Sequence, residues 1–134
     1  PLKNPLKEKQ SPFHSFSFEG PQHISLSSSG QFLLIQNGST LATYDFDEFK
    51  RSQIHLPFEI AAGTKPAWLN ATHLYAQAAD GANYLFEYDG QNMQQILSSR
   101  LGSPISLSPD FKYVYRIVEN DTAAHFESAS MLVD

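Results

Sequence analysis

The sequence contains no cysteine, and this absence removes several classes of site at once. Disulfide bonds, zinc–thiolate centres and cysteine nucleophiles are excluded, and the redox compartment cannot be inferred from cysteine usage. Long apolar runs are also absent, so no segment approaches the roughly 20 residues that a membrane-spanning helix needs. No signal peptide is visible and the chain begins with Pro1. We therefore expect a trimmed piece of a longer protein, from which an anchor or export signal could have been removed.

Positive charge is scarce as well. Nine Lys and Arg residues stand against 14 Asp and Glu, which gives a net charge of -5. A surface that binds duplex nucleic acid needs a basic patch, and the basic residues cluster only at Lys3, Lys7 and Lys9, which we interpret as part of a solvated tail. We expect no nucleic-acid partner, and membrane contact only through a missing anchor. Apolar residues at 41% of the 134 residues predict one folded domain.

The chain divides into a polar start and a long segment of strands. Residues 1–12, "PLKNPLKEKQSP", are polar and proline-rich, and we interpret them as a linker or tail. From residue 13 onward apolar and polar residues alternate in short runs bounded by Gly, Asn, Asp, Ser and Pro, the pattern typical of strands joined by turns. The first predicted strand covers residues 13–18. No convincing amphipathic helix competes with this interpretation.

The strands after residue 20 form one unit that is repeated three times. Ile24 in "HISLS", Ala67 in "PAWL" and Ile105 in "PISLS" occupy the same place in each unit, with a spacing of about 40 residues. Each unit reads as a four-stranded antiparallel meander, the size of one propeller blade. The predicted fold is therefore all-β: a partial β-propeller with blades at about 22–57, 65–97 and 103–134. The strand at 13–18 would belong to a preceding blade.

Three turns carry specific predictions. Asn37-Gly38 predicts a type I′ hairpin turn, with positive φ at both residues. Asp89-Gly90 predicts a tight turn between the third and fourth strands of the second unit. The equivalent turn of the first unit, over residues 45–52, is longer, and residues 47–52 are where we expect a single helical turn, too short to be stable alone.

The segments "LSPDFKYVY" and "LFEYDGQNMQQIL" resemble TolB-type and WD-like propeller repeats. The resemblance is nearest to the propeller segments of bacterial envelope proteins that also carry PEGA domains, and it covers roughly residues 13–134. The Gly-His and Trp-Asp pairs of classical WD repeats are missing. The resemblance implies a propeller used for binding or as a scaffold, outside the cytoplasm in the cell envelope. It supplies no catalytic residues.

Polar motifs that could carry chemistry have simpler structural explanations. No two histidines have the spacing of metal ligands, so we predict no metal site and no cofactor. The acidic run "DFDE" at residues 45–48 and the run "SSSG" at residues 27–30 are both interpreted as turns. Asn37, Asn70 and Asn120 begin glycosylation sequons, but all three lie at predicted hairpin turns, where such residues accumulate for backbone reasons. We predict no catalytic residue.

The candidate binding surface is the set of loops that lead from one blade into the next, at residues 20–23, 60–66 and 98–104. These loops would surround the mouth of the central channel. The candidate ligand-binding residues are His23, Lys65, Trp68 and Arg100. Trp68 has an alternative role, because an aromatic ring on the innermost strand can pack between blades.

The function that this sequence favours is a non-enzymatic interaction or scaffold module. Its partner would be a protein or a component of the cell envelope. Because about three blades do not close a ring, a second copy or the rest of a longer chain would complete it, and a homo-oligomer is expected. The alternative is a propeller-based hydrolase or lyase, or the non-catalytic propeller domain of a peptidase.

Overall fold

The structure, a computed structural model, describes residues 18–108, 112–119 and 123–130. Within these residues the chain is all-β, as the sequence predicts, and it contains no helix. The predicted linker at 1–12 and most of the predicted strand at 13–18 lie outside the described residues, as do residues 131–134 at the end of the third predicted blade. No helix in the described part of the chain is long and apolar enough to cross a membrane.

Eleven strands in the described residues form three antiparallel sheets, in which each strand pairs with its neighbour in sequence. The first sheet contains β1 (His23–Leu26), β2 (Phe32–Asn37), β3 (Thr40–Asp45) and β4 (Lys50–His55). The second contains β5 (Ala67–Trp68), β6 (His73–Gln77), β7 (Ala82–Glu87) and β8 (Gln94–Ser98). The third contains β9 (Ser106–Leu107), β10 (Tyr113–Glu119) and β11 (Ala124–Ser130).

The main core lies between the first and second sheets. Side chains alternate between the two faces of a strand, so Leu34 in β2 points to the same face as Leu41 and Ile54, which pair across β3 and β4. This face packs against Leu74 and Phe86 of the second sheet. Both of these residues are fully buried. Burial of each such side chain contributes about 1.5–3 kcal/mol, which holds the two sheets together.

Aromatic rings and hydrogen bonds join the same two sheets at one end. The ring of Phe32 stacks on Tyr88 with 4.3 Å between centroids, and on Trp68 with 6.1 Å. The Trp68 indole N–H also donates to the carbonyl oxygen of Ser25 at 3.3 Å. Thr43 Oγ1 donates to the carbonyl oxygen of Tyr88 at 2.6 Å. The interface is therefore positioned by directional contacts as well as by apolar burial.

Polar side chains join the second and third sheets. Asn83 is fully buried, and its Oδ1 accepts the N–H of Ile105, which directly precedes β9, at 3.4 Å. Arg116 of β10 donates to the carbonyl oxygen of Ser98 at 3.0 Å and to the carboxylate of Glu127 at 2.8 Å. Ile105 and Val114 supply buried apolar surface beside these contacts.

Two faces of the stack remain exposed. On the first sheet, Ile24 and Leu26 point away from the core face and are 68% and 59% exposed. On the third sheet, Phe126 is 65% exposed and stacks on Tyr115, with 5.6 Å between ring centroids. Isolated apolar side chains on a surface are ordinary, but here each lies on the outer face of a terminal sheet.

The turn between β2 and β3 differs from the prediction. Asn37 pairs with Thr40, so the two central residues are Gly38 and Ser39 rather than Asn37 and Gly38. Gly38 has φ of 57°, whereas Ser39 is not among the described residues with positive φ. Positive φ at the first central residue alone is the pattern of a type II′ turn, so the predicted type I′ turn is wrong. The pairing of Asn37 inside the ladder displaces the turn by one residue.

The expected helical turn at residues 47–52 is also wrong. The turn is confined to residues 46–49, and β4 begins at Lys50, which pairs with Asp45. Asp45 Oδ1 accepts the N–H groups of Asp47 and Glu48 at 2.9 and 3.2 Å, and Phe49 takes φ of 56°. These local bonds reverse the chain tightly enough for the ladder to resume at once. Strand pairing uses backbone N–H and C=O groups, so β4 can pair with β3 although its first residues are polar.

Candidate functional site

A cleft of about 510 Å³ lies between the start of the first sheet and the loop that leads to the second sheet. Two of the four candidate residues, His23 and Lys65, line it together. Its described lining consists of Gln22, His23, Gln36, Gly38 and residues 60–65. The structure therefore brings together two loops that are about 40 residues apart in the sequence.

A tight turn shapes the loop on one side of the cleft. The N–H of Thr64 donates to the carbonyl oxygen of Ala61 at 3.1 Å, and Gly63 has φ of 76°. Positive φ at the third residue of a turn is the pattern of type II, for which glycine is the preferred residue. The N–H of Ala61 donates to the carbonyl oxygen of Gln77 at 2.9 Å, which ties the loop to the second sheet.

Gln36 forms the inner wall of the cleft. Its side chain leaves β2 beside the turn, and the residue is only 4% exposed. The Nε2 atom donates to the carbonyl oxygen of Gly38 at 3.1 Å. The Oε1 atom is enclosed and has no donor in the described part of the chain. A buried acceptor without a donor costs about 1–3 kcal/mol, so this atom is unusual in a folded protein.

Gln77 occupies the equivalent position in the second sheet. Gln36 lies four residues after Phe32, the first residue of β2, and Gln77 lies four residues after His73, the first residue of β6. In both strands the carbonyl oxygen of that first residue accepts an N–H from the preceding turn. Gln77 is fully buried, and its Nε2 donates to Ser99 Oγ and to the carbonyl oxygen of Arg100, both at 2.9 Å. Its Oε1 accepts the N–H of Gly102 at 2.9 Å. The same side chain is thus satisfied in one sheet and half-satisfied in the other.

The charge of the cleft is opposite in sign to that of the chain. Its described lining includes a lysine and a histidine but no carboxylate. Lys65 forms no ion pair with the described residues, and the chain as a whole carries -5. Lys65 therefore gives the described lining a positive formal charge.

Trp68 and Arg100 lie outside the cleft. Trp68 packs between the first and second sheets against Phe32, which is its alternative role. Arg100 lies in the loop between the second and third sheets, where its Nε contacts Glu119 Oε1 at 2.7 Å. Its carbonyl oxygen also accepts the hydrogen bond from Gln77.

The other polar motifs take part in turns. Ser27 begins the turn at 27–30, where the N–H of Gly30 donates to its carbonyl oxygen at 2.9 Å and Ser27 Oγ accepts the N–H of Phe32 at 3.2 Å. Asn70 Oδ1 accepts the N–H groups of Thr72 and His73 at 2.9 and 2.8 Å. Asn120 lies outside the described residues. The described residues contain no group of three or more side chains suited to hold a metal.

Sequence reasoning missed both glutamines. The signal was present, because "LLIQN" and "YAQAA" each carry Gln four residues after the first residue of the second strand of their units. A polar residue repeated inside two otherwise apolar strands indicates a buried hydrogen-bonding role.

Comparison with known proteins gives no relative from which a function can be transferred. No protein-family model matches the chain, and no curated protein matches its sequence. The argument for function therefore depends on the cleft itself.

Proposed function

We propose that this chain is part of a β-propeller that acts as a non-enzymatic interaction module. Three successive antiparallel meanders, of four, four and three strands in the described residues, support this proposal, because a propeller blade is a four-stranded antiparallel meander. The ring would be completed by a second copy or by the rest of a longer chain. The resemblance to TolB-type repeats supports a place in the cell envelope.

The cleft lined by His23 and Lys65 is the proposed binding site, and one observation carries this proposal. The start of the first sheet and the loop that leads to the second sheet bring a lysine and a histidine together there, with no carboxylate in the described lining. Such a lining suits an acidic segment of a partner protein, because opposite charges speed encounter and disfavour wrong partners. We propose no reaction at this cleft.

Selection from a displayed peptide library tests the proposal. We expect peptides that carry carboxylates to be enriched on the wild-type chain. Lys65→Glu should weaken the binding of these peptides by about tenfold or more, because it reverses the charge. Lys50→Glu is the matched control, because Lys50 is an exposed lysine of β4 that does not line the cleft. Peptides that bind Lys65→Glu as well as the wild type would rule out this cleft as the site.

A further inference from the structure

We propose that the cleft captures the free carboxyl terminus of a peptide, a ligand class that rests on the proposed function and narrows it. The terminal carboxylate would lie between Lys65 Nζ and the N–H of Gly63. The last peptide N–H of the ligand would donate to Gln36 Oε1.

The enclosed acceptor of Gln36 indicates the first ligand group. Gln36 lines the cleft and is 4% exposed, but its Oε1 has no donor among the described residues. A bound N–H group would remove the cost of this unpaired acceptor, which adds to the affinity. Because Oε1 is enclosed, the Gln36 amide must turn toward the opening of the cleft as the peptide enters.

The second sheet shows what kind of donor this position takes. There Gln77 Oε1 accepts a backbone N–H, that of Gly102, and the site is filled by the chain itself. Gly63 is the equivalent of Gly102, since each is the third residue of a similar turn and has positive φ. The N–H of Gly63 makes no hydrogen bond to Gln36. A peptide N–H from a ligand would therefore replace an internal bond that the first sheet lacks.

The unpaired donors of the cleft indicate that the second ligand group is a carboxylate. The N–H groups of Gly63 and Lys65 have no acceptor in the described part of the chain, and the Lys65 ammonium has no ion pair there. Backbone N–H groups at a turn, together with a lysine, form a common binding site for a terminal carboxylate. An N–H donor directly beside a carboxylate is the chemistry of a peptide carboxyl terminus, and a side-chain carboxylate does not present it in this way.

Nuclear magnetic resonance titration with three small peptides tests the inference. The probe is N-acetyl-glycyl-alanine, compared with its carboxyl-terminal amide and with the version methylated on the alanine nitrogen. We expect the probe to bind with a dissociation constant of about 1 mM, the range expected of a few hydrogen bonds and one exposed charge. It should shift the backbone resonances of Gly63 and Lys65 and the side-chain amide of Gln36. The amide and the methylated peptide should each bind about threefold to tenfold more weakly.

Protein variants separate the two contacts. Lys65→Gln should weaken binding of the probe by about threefold, whereas Lys50→Gln should leave the affinity unchanged. Gln36→Met should remove the preference for the unmethylated peptide. If Gln36→Met does not fold, the methylated peptide tests the same contact on the wild-type protein.

Equal binding of the three peptides, or shifts elsewhere on the chain, would overturn the inference. A Gly63 N–H that is protected from exchange without peptide, with no response to the probe, would overturn it too, because the loop would then satisfy Gln36 itself. If acidic library peptides still bind at Lys65 in that case, the proposed function stands and only the carboxyl-terminal ligand is wrong.

Discussion

Thr43 Oγ1 donates a hydrogen bond of 2.6 Å to the carbonyl oxygen of Tyr88, and this bond links β3 of the first sheet to the residue that directly follows β7 in the second. Thr43 is 1% exposed, so water cannot easily replace it. We expect Thr43→Val to lower the free energy of unfolding by about 1–3 kcal/mol, because the carbonyl oxygen of Tyr88 loses its donor. Urea denaturation measures the change. Thr40→Val, a half-buried threonine of the same strand, should have a much smaller effect, and equal effects would contradict the role of the bond.

Gly90, in the turn after β7, lies close to Ile54 of the first sheet. It has φ of 85°, and a Cβ atom there would lie 3.1 Å from Cγ2 of Ile54. Gly90→Ala should therefore combine backbone strain with a steric clash, and should lower the free energy of unfolding by about 2 kcal/mol or more. Gly30→Ala is the matched control, because Gly30 has φ of 75° but no atom within 4 Å of its Cβ position. Thermal melts of the two variants should differ, and identical melting temperatures would show that the contact with Ile54 has no effect.

The Asp45 carboxylate makes the stability of the folded protein depend on pH. Burial raises its pKa, but the hydrogen bond from Gln31, those from the Asp47 and Glu48 N–H groups, and the charge of Lys50 together hold the pKa below its ordinary value of 3.8. A carboxyl whose pKa is lower in the folded state stabilises the protein above its unfolded pKa, and this contribution is lost as pH falls through the folded pKa.

Asp45→Asn tests this dependence, because the amide oxygen can still accept the N–H bonds while the charge is removed. We expect the wild type to be more stable than Asp45→Asn near pH 7, with a difference that shrinks as pH falls below about 4. Urea midpoints from pH 7 to pH 2.5 measure it. Asp47→Asn, in the same turn, is the control. A difference between wild type and Asp45→Asn that stays constant over this range would contradict the assignment.

The outer faces of the first and third sheets predict self-association of the isolated chain. Leu26 on one face and Phe126 on the other are each more than half exposed. We expect two copies to pair at micromolar concentration, with the first sheet of each against the third sheet of the other, because this closes both faces without forming a fibre. Light scattering should give twice the mass of the chain.

Leu26→Glu and Phe126→Glu should each return the chain to a monomer. Leu101→Glu, at an apolar loop residue that is 60% exposed, should not. A wild-type monomer with a cooperative melt would mean that the terminal faces are covered within one chain, and it would remove the argument for a ring completed by a second copy.

The all-β class and the division into strand groups could be predicted because both depend on local chemistry. Period-two alternation and glycine at turns are visible without knowledge of the rest of the chain, as at Gly38 and Gly90. The exact register at Gly38 could not be predicted. It depends on whether Asn37 pairs with Thr40, and pairing across a ladder is a property of two strands together.

The candidate site shows the same limit. His23 and Lys65 could be assigned to one surface because equivalent loops of a repeat lie side by side. The importance of Gln36 could not be predicted, since its unpaired oxygen is evident only when the loop around Gly63 is placed and compared with the one around Gly102. Trp68 was ambiguous in sequence for a related reason, because an indole ring suits a core and a binding surface equally well.

Each of the eleven described strands pairs with a neighbour in sequence, and this has a consequence for how the chain folds. Each sheet can form by closing only short loops, which costs little conformational entropy and favours rapid folding for a β protein. The sheets also follow one another in the chain, so the first can form before the last has been synthesised. The first sheet can then serve as the template on which the second packs, through Phe32 and Thr43, while the ribosome is still adding the third.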